Sequence, residues 1–316
     1  MKKFLLRLAA LALPFVLYFG LFVAFDPADY FGVNGASTAG NSVVTRVKRF
    51  VESPQDAIIL GDSRMAHFDM DLVAQVTGRA WSNLAFGGAS MNESVDLFWL
   101  AVQQNPGIDT VVFEASFYTL RQGDTRNRTD AILTAVNNPV AYLFNFNYNV
   151  DMLQNVLENV RHWLDPSYVI GEATDTGHWT EADYVDETGA RLPFRRNLID
   201  YAHTILDVCQ GYAVNEENLA AVLEIAAYCR EHGIRLVFVM PPVDGAIREY
   251  VFEGLDLWDE LAAIKEALEA TGAAVLDYEY QPRHTFGEEQ FYDGFHLDIV
   301  TGLPEYTEIL FEEVMG

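Results

Sequence analysis

Five short apolar runs, separated by stretches of helical period, constrain the fold of this chain more than any other feature. They span residues 57–60, 81–85, 110–113, 235–240 and 273–276. Runs this short and this continuously apolar read as strands buried on both faces. The intervening segments carry helix signals. Residues 71–77 stop at Gly78, 93–104 close on Asn105-Pro106-Gly107, and 215–231 end before Gly233. Residues 256–270 place apolar side chains at 257, 258, 261, 264 and 268, and 304–315 form a last helix. Helices between buried strands predict an α/β fold: a three-layer α/β/α sandwich on a mainly parallel five-stranded sheet with right-handed crossovers.

The amino terminus follows a different logic. Met1-Lys2-Lys3 and Arg7 precede an uncharged apolar stretch from Leu8 to Phe25. Eighteen helical residues span about 27 Å, enough to cross a hydrocarbon core. Pro14 is tolerable inside a bilayer. The exit, Phe22-Val23-Ala24-Phe25-Asp26-Pro27, lacks the small residues of a signal-peptidase site, so an uncleaved transmembrane anchor is expected. Basic residues stay on the cytoplasmic side, which puts everything after Asp26 outside the cytoplasm. The expected organisation is an anchor over 1–26, a linker over 27–54, and a domain over 55–316 with an insertion at about 121–212.

That insertion breaks the strand–helix rhythm. Asn, Tyr, Phe and Trp are dense between 137 and 179, and acidic residues run from Glu172 to Glu187. A lid, a docking face for a membrane partner, or a subdomain that only packs would each fit this composition. Lysine plus arginine number 20 against 46 aspartate plus glutamate, a formal charge of −26, which argues against nucleic acid and against charge-driven docking on anionic lipid. An oxidising compartment would permit a Cys209–Cys229 disulfide. Cys229 shares a helical face with Leu219, Val222 and Ala226, however, so buried free thiols are the expectation. No cysteine or histidine cluster has metal spacing, and no bound cofactor is required. Asn92-Glu93-Ser94 and Asn127-Arg128-Thr129 fit the common glycosylation pattern.

Chemistry concentrates at two distant points. Gly61-Asp62-Ser63 directly follows the first apolar run, and Asp293-Gly294-Phe295-His296 precedes the last helix. A serine hydroxyl needs an imidazole to take its proton and a carboxylate to hold that imidazole, and Ser63, His296 and Asp293 supply the three. Between them lies a glycine-rich segment, Asn83-Leu84-Ala85-Phe86-Gly87-Gly88-Ala89-Ser90. Together these blocks resemble the SGNH (GDSL-type) hydrolase superfamily, whose flavodoxin-like fold matches the sandwich inferred above.

The resemblance implies Ser63 as nucleophile and Asp293 and His296 as its partners. It also implies an oxyanion hole from the N–H groups of Ser63 and Gly88. The family's third block, Gly-x-Asn-Asp after the next strand, is absent: the chain reads Glu114-Ala115-Ser116-Phe117-Tyr118. A subset lacking that block, which includes alginate O-acetyltransferases and the D-alanyl transfer protein of teichoic acid synthesis, acts on cell-surface polymers. Met240-Pro241-Pro242 resembles a strand-end segment of that subset. Resemblance to it implies an anchored O-acyltransferase that takes an acyl donor and a polysaccharide or other glycan acceptor, beside a multispanning membrane-bound O-acyltransferase. An anchored esterase or deacetylase, and a binding or scaffold protein without catalysis, remain alternatives. Arg64, Asn83, Glu114 and Ser116 are candidate substrate contacts, Ser116 also as a substitute oxyanion donor. His67 either lines the pocket or caps a helix.

Overall fold

The computed structural model describes residues 1–33, 42–166 and 193–316. In chain order, α1 (Lys2–Ala24) and α2 (Val43–Glu52) precede β1 (Ala57–Leu60), α3 (Ser63–Ala66), α4 (Met70–Thr77) and β2 (Ser82–Asn83). There follow α5 (Met91–Gln104), β3 (Thr110–Glu114), α6 (Thr129–Asn137), α7 (Pro139–Leu143), α8 (Phe146–Leu164) and α9 (Phe194–Val208). The chain closes with α10 (Glu216–His232), β4 (Arg235–Met240), α11 (Gly245–Ile247), α12 (Trp258–Glu269), β5 (Ala274–Asp277) and α13 (Gly302–Met315). The fold divides into two compact units, Met1–Glu52 with Asp130–Asp175, and Ser53–Thr129 with Thr176–Gly316.

The second unit is the α/β sandwich. Its five strands lie in the order β2-β1-β3-β4-β5, and each pairs in parallel with its neighbours. Ala57 sits opposite Thr110, Thr110 opposite Arg235, and Val237 opposite Ala274. Strand side chains alternate between faces. Ala57, Ile59, Val112, Val237, Val239 and Leu276 join a core with Val73 of α4, Leu261 of α12 and Leu310 of α13. Ile58, Leu60, Val111, Phe113, Leu236 and Phe238 are equally buried on the other face, where α5 packs with α10. Each fully buried side chain of this size contributes about 1.5–3 kcal/mol by leaving water.

Chain order reverses direction in the sheet at β1, which has β2 on one side and β3 on the other. In open α/β sheets such a switch leaves a crevice at the carboxyl ends of the strands. The first and third strands therefore deliver their following loops to one place. The edge strand β2 is shorter than the expected 81–85, because only Ser82 and Asn83 pair with β1. Trp81 instead packs edge-on to Phe311 and donates its indole N–H to Thr77. A π-helical turn over Arg248–Glu253 follows α11 and carries no signal in the sequence.

The first unit holds α1, α2, α7, α8 and most of α6. One helix of the described residues, α1, is long and apolar enough to cross a membrane. Its exit is tied down by a buried knot. The Tyr142 hydroxyl donates to Asp26 Oδ1 at 2.5 Å, Phe31 N–H donates to Asp26 Oδ2 at 2.9 Å, and the Tyr142 ring stacks on Tyr30 at 4.4 Å. Of the span 27–54, expected as a linker, the described residues up to Glu52 belong to this unit. Val44, Val47 and Phe50 bury one face of α2 at helical spacing, a pattern that drives a helix rather than an extended tether. The expected insertion also divides. Residues up to Thr129 and the helix α9 belong to the sandwich unit, and acidic residues 172–187 lie outside the described residues. Cys209 and Cys229 are both buried free thiols, and burial pushes the Cys209 thiol up to about 11.

Candidate active site

The chain leaves β1 at Leu60 and enters α3 at Ser63 through a turn that only glycine permits at position 61. A Cβ there would lie 2.5 Å from Glu114 Oε2 and 2.8 Å from Met65 Cγ. Asp62 caps α3 by accepting the Arg64 backbone N–H at 2.8 Å. Asn83 closes the other end, donating to the Met65 carbonyl at 2.9 Å while its own carbonyl accepts from Ala85 N–H at 3.0 Å. His67 is the half-buried C-cap of α3. The result is a short rigid element that presents a half-buried Ser63 at the carboxyl edge of the sheet.

Ser63 Oγ lies 2.7 Å from His296 Nε2. On the far side of the ring, His296 Nδ1 lies 2.8 Å from Asp293 Oδ2. Asp293 Oδ1 accepts the backbone N–H groups of Phe295 and His296 at 3.0 and 2.8 Å, which fixes the carboxylate against its own loop. That loop is held from two further directions: Asn197 of α9 donates to the Tyr292 carbonyl at 2.7 Å, and Asp244 N–H donates to the Gly294 carbonyl at 2.8 Å. With Nδ1–H directed at Asp293, Nε2 is free to accept the serine proton. Burial opposes a charged ring, but the Asp293 charge and hydrogen bond outweigh it, helped by Asp62, so the His296 pKa is raised above 6.5. A hydroxyl, an imidazole and a carboxylate so arranged can form and break an acyl ester.

Gly88 follows β2 in a tight turn, at φ +63°, a left-handed conformation that favours glycine. Its carbonyl accepts from Arg128 at 2.9 Å. Among the described residues, the backbone N–H groups of Ser63 and Gly88 have no hydrogen-bond acceptor. Arg126, half-exposed and paired with Asp124 at 2.6 Å, reaches to within 3.6 Å of where a Gly88 Cβ would be.

The four candidate substrate contacts, Arg64, Asn83, Glu114 and Ser116, are all buried, and their polar groups are engaged within the protein. Arg64 donates to Asp62 Oδ2 at 3.0 Å, to Glu114 Oε1 at 2.5 Å and to Ser116 Oγ at 2.6 Å, while its other nitrogen lies 3.6 Å from Glu279. Its guanidinium also stacks on Phe295, 4.1 Å from the ring centroid. Glu114 Oε2 accepts the Asp62 backbone N–H at 2.7 Å, tying β3 to the serine turn. Ser116 Oγ is turned to Glu114 at 3.0 Å and Thr119 at 3.1 Å, which removes it as an oxyanion donor.

Three carboxyl groups share one guanidinium here, and they cannot all be charged. Burial pushes Glu114 up to about 8, reinforced by the Asp62 charge, and burial likewise pushes Glu279 up to about 8. Asp62 is the exception: burial favours its neutral form, but Arg64 outweighs this and holds its pKa low. Glu279 escaped notice in the sequence, although a carboxylate two residues past a strand end is a usable signal. Tyr201 of α9, edge-on to His296 at 5.9 Å, and Tyr118, 5.0 Å from Phe295, also went unnoticed. They come from the irregular segment and the missing block, where no motif points to them. Among the described residues, no group of three or more His, Cys, Asp or Glu side chains is placed to hold a metal ion.

No protein-family model and no curated protein matches the chain. Solved structures do. A GDSL-like lipase from Bacteroides thetaiotaomicron is 12% identical over 87% of this chain and 98% of its own, with a TM-score of 0.40. A putative platelet activating factor from Streptococcus pneumonia is 9% identical over 85% and 91%, with a TM-score of 0.42. A lipase/acylhydrolase from Enterococcus faecalis is 13% identical over 82% and 95%, with a TM-score of 0.40.

Proposed function

We propose that this chain is a membrane-anchored serine O-acyltransferase that acylates, most simply acetylates, a hydroxyl of a cell-envelope polysaccharide. The observation that carries the reading is the unbroken relay from Ser63 Oγ through His296 to Asp293, at 2.7 and 2.8 Å. In the first half-reaction His296 Nε2 takes the Ser63 proton as Oγ bonds to the donor's acyl carbon. The N–H groups of Ser63 and Gly88 receive the oxyanion. Collapse expels the donor's leaving group, which takes the proton from His296, and leaves an acyl ester on Ser63. In the second, His296 removes the proton of an acceptor hydroxyl, that oxygen attacks the ester, and the proton returns to Ser63. Asp293 keeps the ring in the required tautomer throughout.

Support for transfer over hydrolysis comes from the missing third block and from α1, read as an anchor whose following residues lie outside the cytoplasm. Anchoring would hold Ser63 near lipid-linked glycans and near a multispanning acyltransferase able to hand acyl groups across the bilayer. A half-exposed Ser63 also admits water, which would make the same relay an esterase. The test is partition: with an activated acetyl ester as donor, added oligosaccharide should divert product from free acetate to sugar ester. Acetate release that no acceptor alters would overturn the transferase reading.

A further inference from the structure

The helix α8 is inside out. At 100° per residue, Phe146, Val150, Leu153, Leu157, Val160 and Leu164 fall within an arc of about 80° on one side of it. All six are exposed, Phe146 at 79% and Leu164 at 70%. The opposite side faces the helix's own unit: Met152 is fully buried, Tyr148 packs on Tyr142 at 4.6 Å, and Asn155 donates to the Phe25 carbonyl at 3.4 Å. The most apolar side of a 19-residue helix is therefore turned away from its own unit. A soluble unit would bury that stripe.

We infer that α8 beds this stripe in the acyl–headgroup boundary of the same bilayer that α1 enters. Continuity with α1 identifies the occupant. Phe19 of α1 meets Phe144, just before α8, at 5.6 Å, and Phe22 meets Tyr142 at 5.6 Å. The start of α8 is thus fixed against the last turns of the apolar helix, where a spanning segment leaves hydrocarbon. Val156 and the exposed Trp163 widen this side to an arc of about 140° that is apolar but for Asn149, broader than the two-position seam of a coiled coil. Tryptophan at its border suits the membrane interface. The flank from Asn147 through Asp151, Gln154 and Glu158 to Arg161 is polar, as a helix lying in the interface requires. Its −1 formal charge makes the attachment apolar rather than electrostatic, consistent with the acidic chain as a whole. The inference rests on reading α1 as membrane-spanning.

The test uses the full-length protein in phosphatidylcholine vesicles, with single nitroxide labels at Leu11 in α1, at Leu153 and Leu157 in the stripe, and at Gln154 and Glu158 on the flank. Both native cysteines are buried, so introduced thiols label selectively. Power saturation with oxygen and a water-soluble nickel chelate reads each label's depth. Stripe labels several-fold more accessible to oxygen than to nickel, with flank labels reversed, support the inference. Stripe labels open to nickel while Leu11 stays in lipid overturn it and leave the anchor standing. A Leu11 label open to nickel overturns the anchor reading itself, and α8 docking with it. Stripe labels shielded from both reagents, with dipolar broadening that dilution by unlabelled protein removes, overturn it in favour of a second copy as occupant.

Discussion

Two carboxylate sites meet beside the Ser63 turn, and their surroundings differ sharply. Asp293 faces an imidazole that reaches a half-exposed hydroxyl, which on the proposed reading is the group that meets substrate. Asp62, Glu114 and Glu279 face a buried guanidinium: Asp62 and Glu114 accept hydrogen bonds from Arg64, and Glu279 accepts the Phe117 backbone N–H while its other oxygen lies 3.6 Å from Arg64. On the proposed reading the first site moves a proton, and the second holds a shape. Burial and partner, not residue type, separate them.

The comparison breaks most readily at its chemical end. Ser63→Ala and His296→Ala should each lower turnover roughly 10⁴-fold or more while leaving the melting temperature nearly unchanged. Asp293→Asn should follow at about 10³–10⁴-fold, because it leaves the ring without its tautomer anchor. Steady-state kinetics beside thermal unfolding checks both, and a variant that loses rate only by unfolding would collapse the distinction between the sites.

The floor should answer in stability instead. Glu114→Ala leaves the Asp62 N–H without its acceptor and takes one of the carboxylates from Arg64 in a dry site, and should cost about 3 kcal/mol by urea unfolding. Glu114→Gln imitates the protonated acid and should stay within about 1 kcal/mol of the parent near neutral pH. Glu114 and Glu279 have pKa values raised from 4.5 to about 8, so the folded state holds their protons longer than the unfolded chain does. Their contribution is fully present below 4.5 and is lost as pH rises through 8. Glu114→Gln should therefore flatten the fall in stability between those limits, and an unchanged slope would mean that Glu114 is ionised.

A smaller effect sharpens the other end. His296 must be neutral to accept a proton, and its pKa is raised above 6.5, so kcat/KM should fall on the acid side of a midpoint above that value. Removing the Asp293 charge in Asp293→Asn should move the midpoint down in the residual activity. A midpoint that does not move would separate Asp293 from the ring.

Much of this architecture was legible because it follows local rules. Buried runs such as Ile58-Ile59-Leu60 and Val111-Val112-Phe113 can only be strands covered on both sides, and Gly78 and Gly233 stop helices where left-handed caps are needed. Ser63, Asp293 and His296 could be singled out as candidates because nucleophile chemistry restricts residue types, and the structure brings the three within hydrogen-bond distance. What the sequence did not show depends on distance. Arg64 looked available beside a nucleophile, yet the β3 end closes over it. Ser116 looked like a donor, but its hydroxyl is already engaged with Glu114 and Thr119. Glu279 enters from the end of β5, three positions from β1 in the sheet. Residues just after α1 looked like a tether because Tyr142, which accepts the Ala28 N–H and stacks on Tyr30, lies more than a hundred residues downstream.

The most direct measurement is covalent labelling of the intact protein with a fluorophosphonate, read by peptide mass spectrometry. The relay predicts one stoichiometric adduct on Ser63, absent in Ser63→Ala and slowed by orders of magnitude in His296→Ala. A folded protein in which Ser63 stays unmodified, or reacts no faster than other serines, would contradict the account.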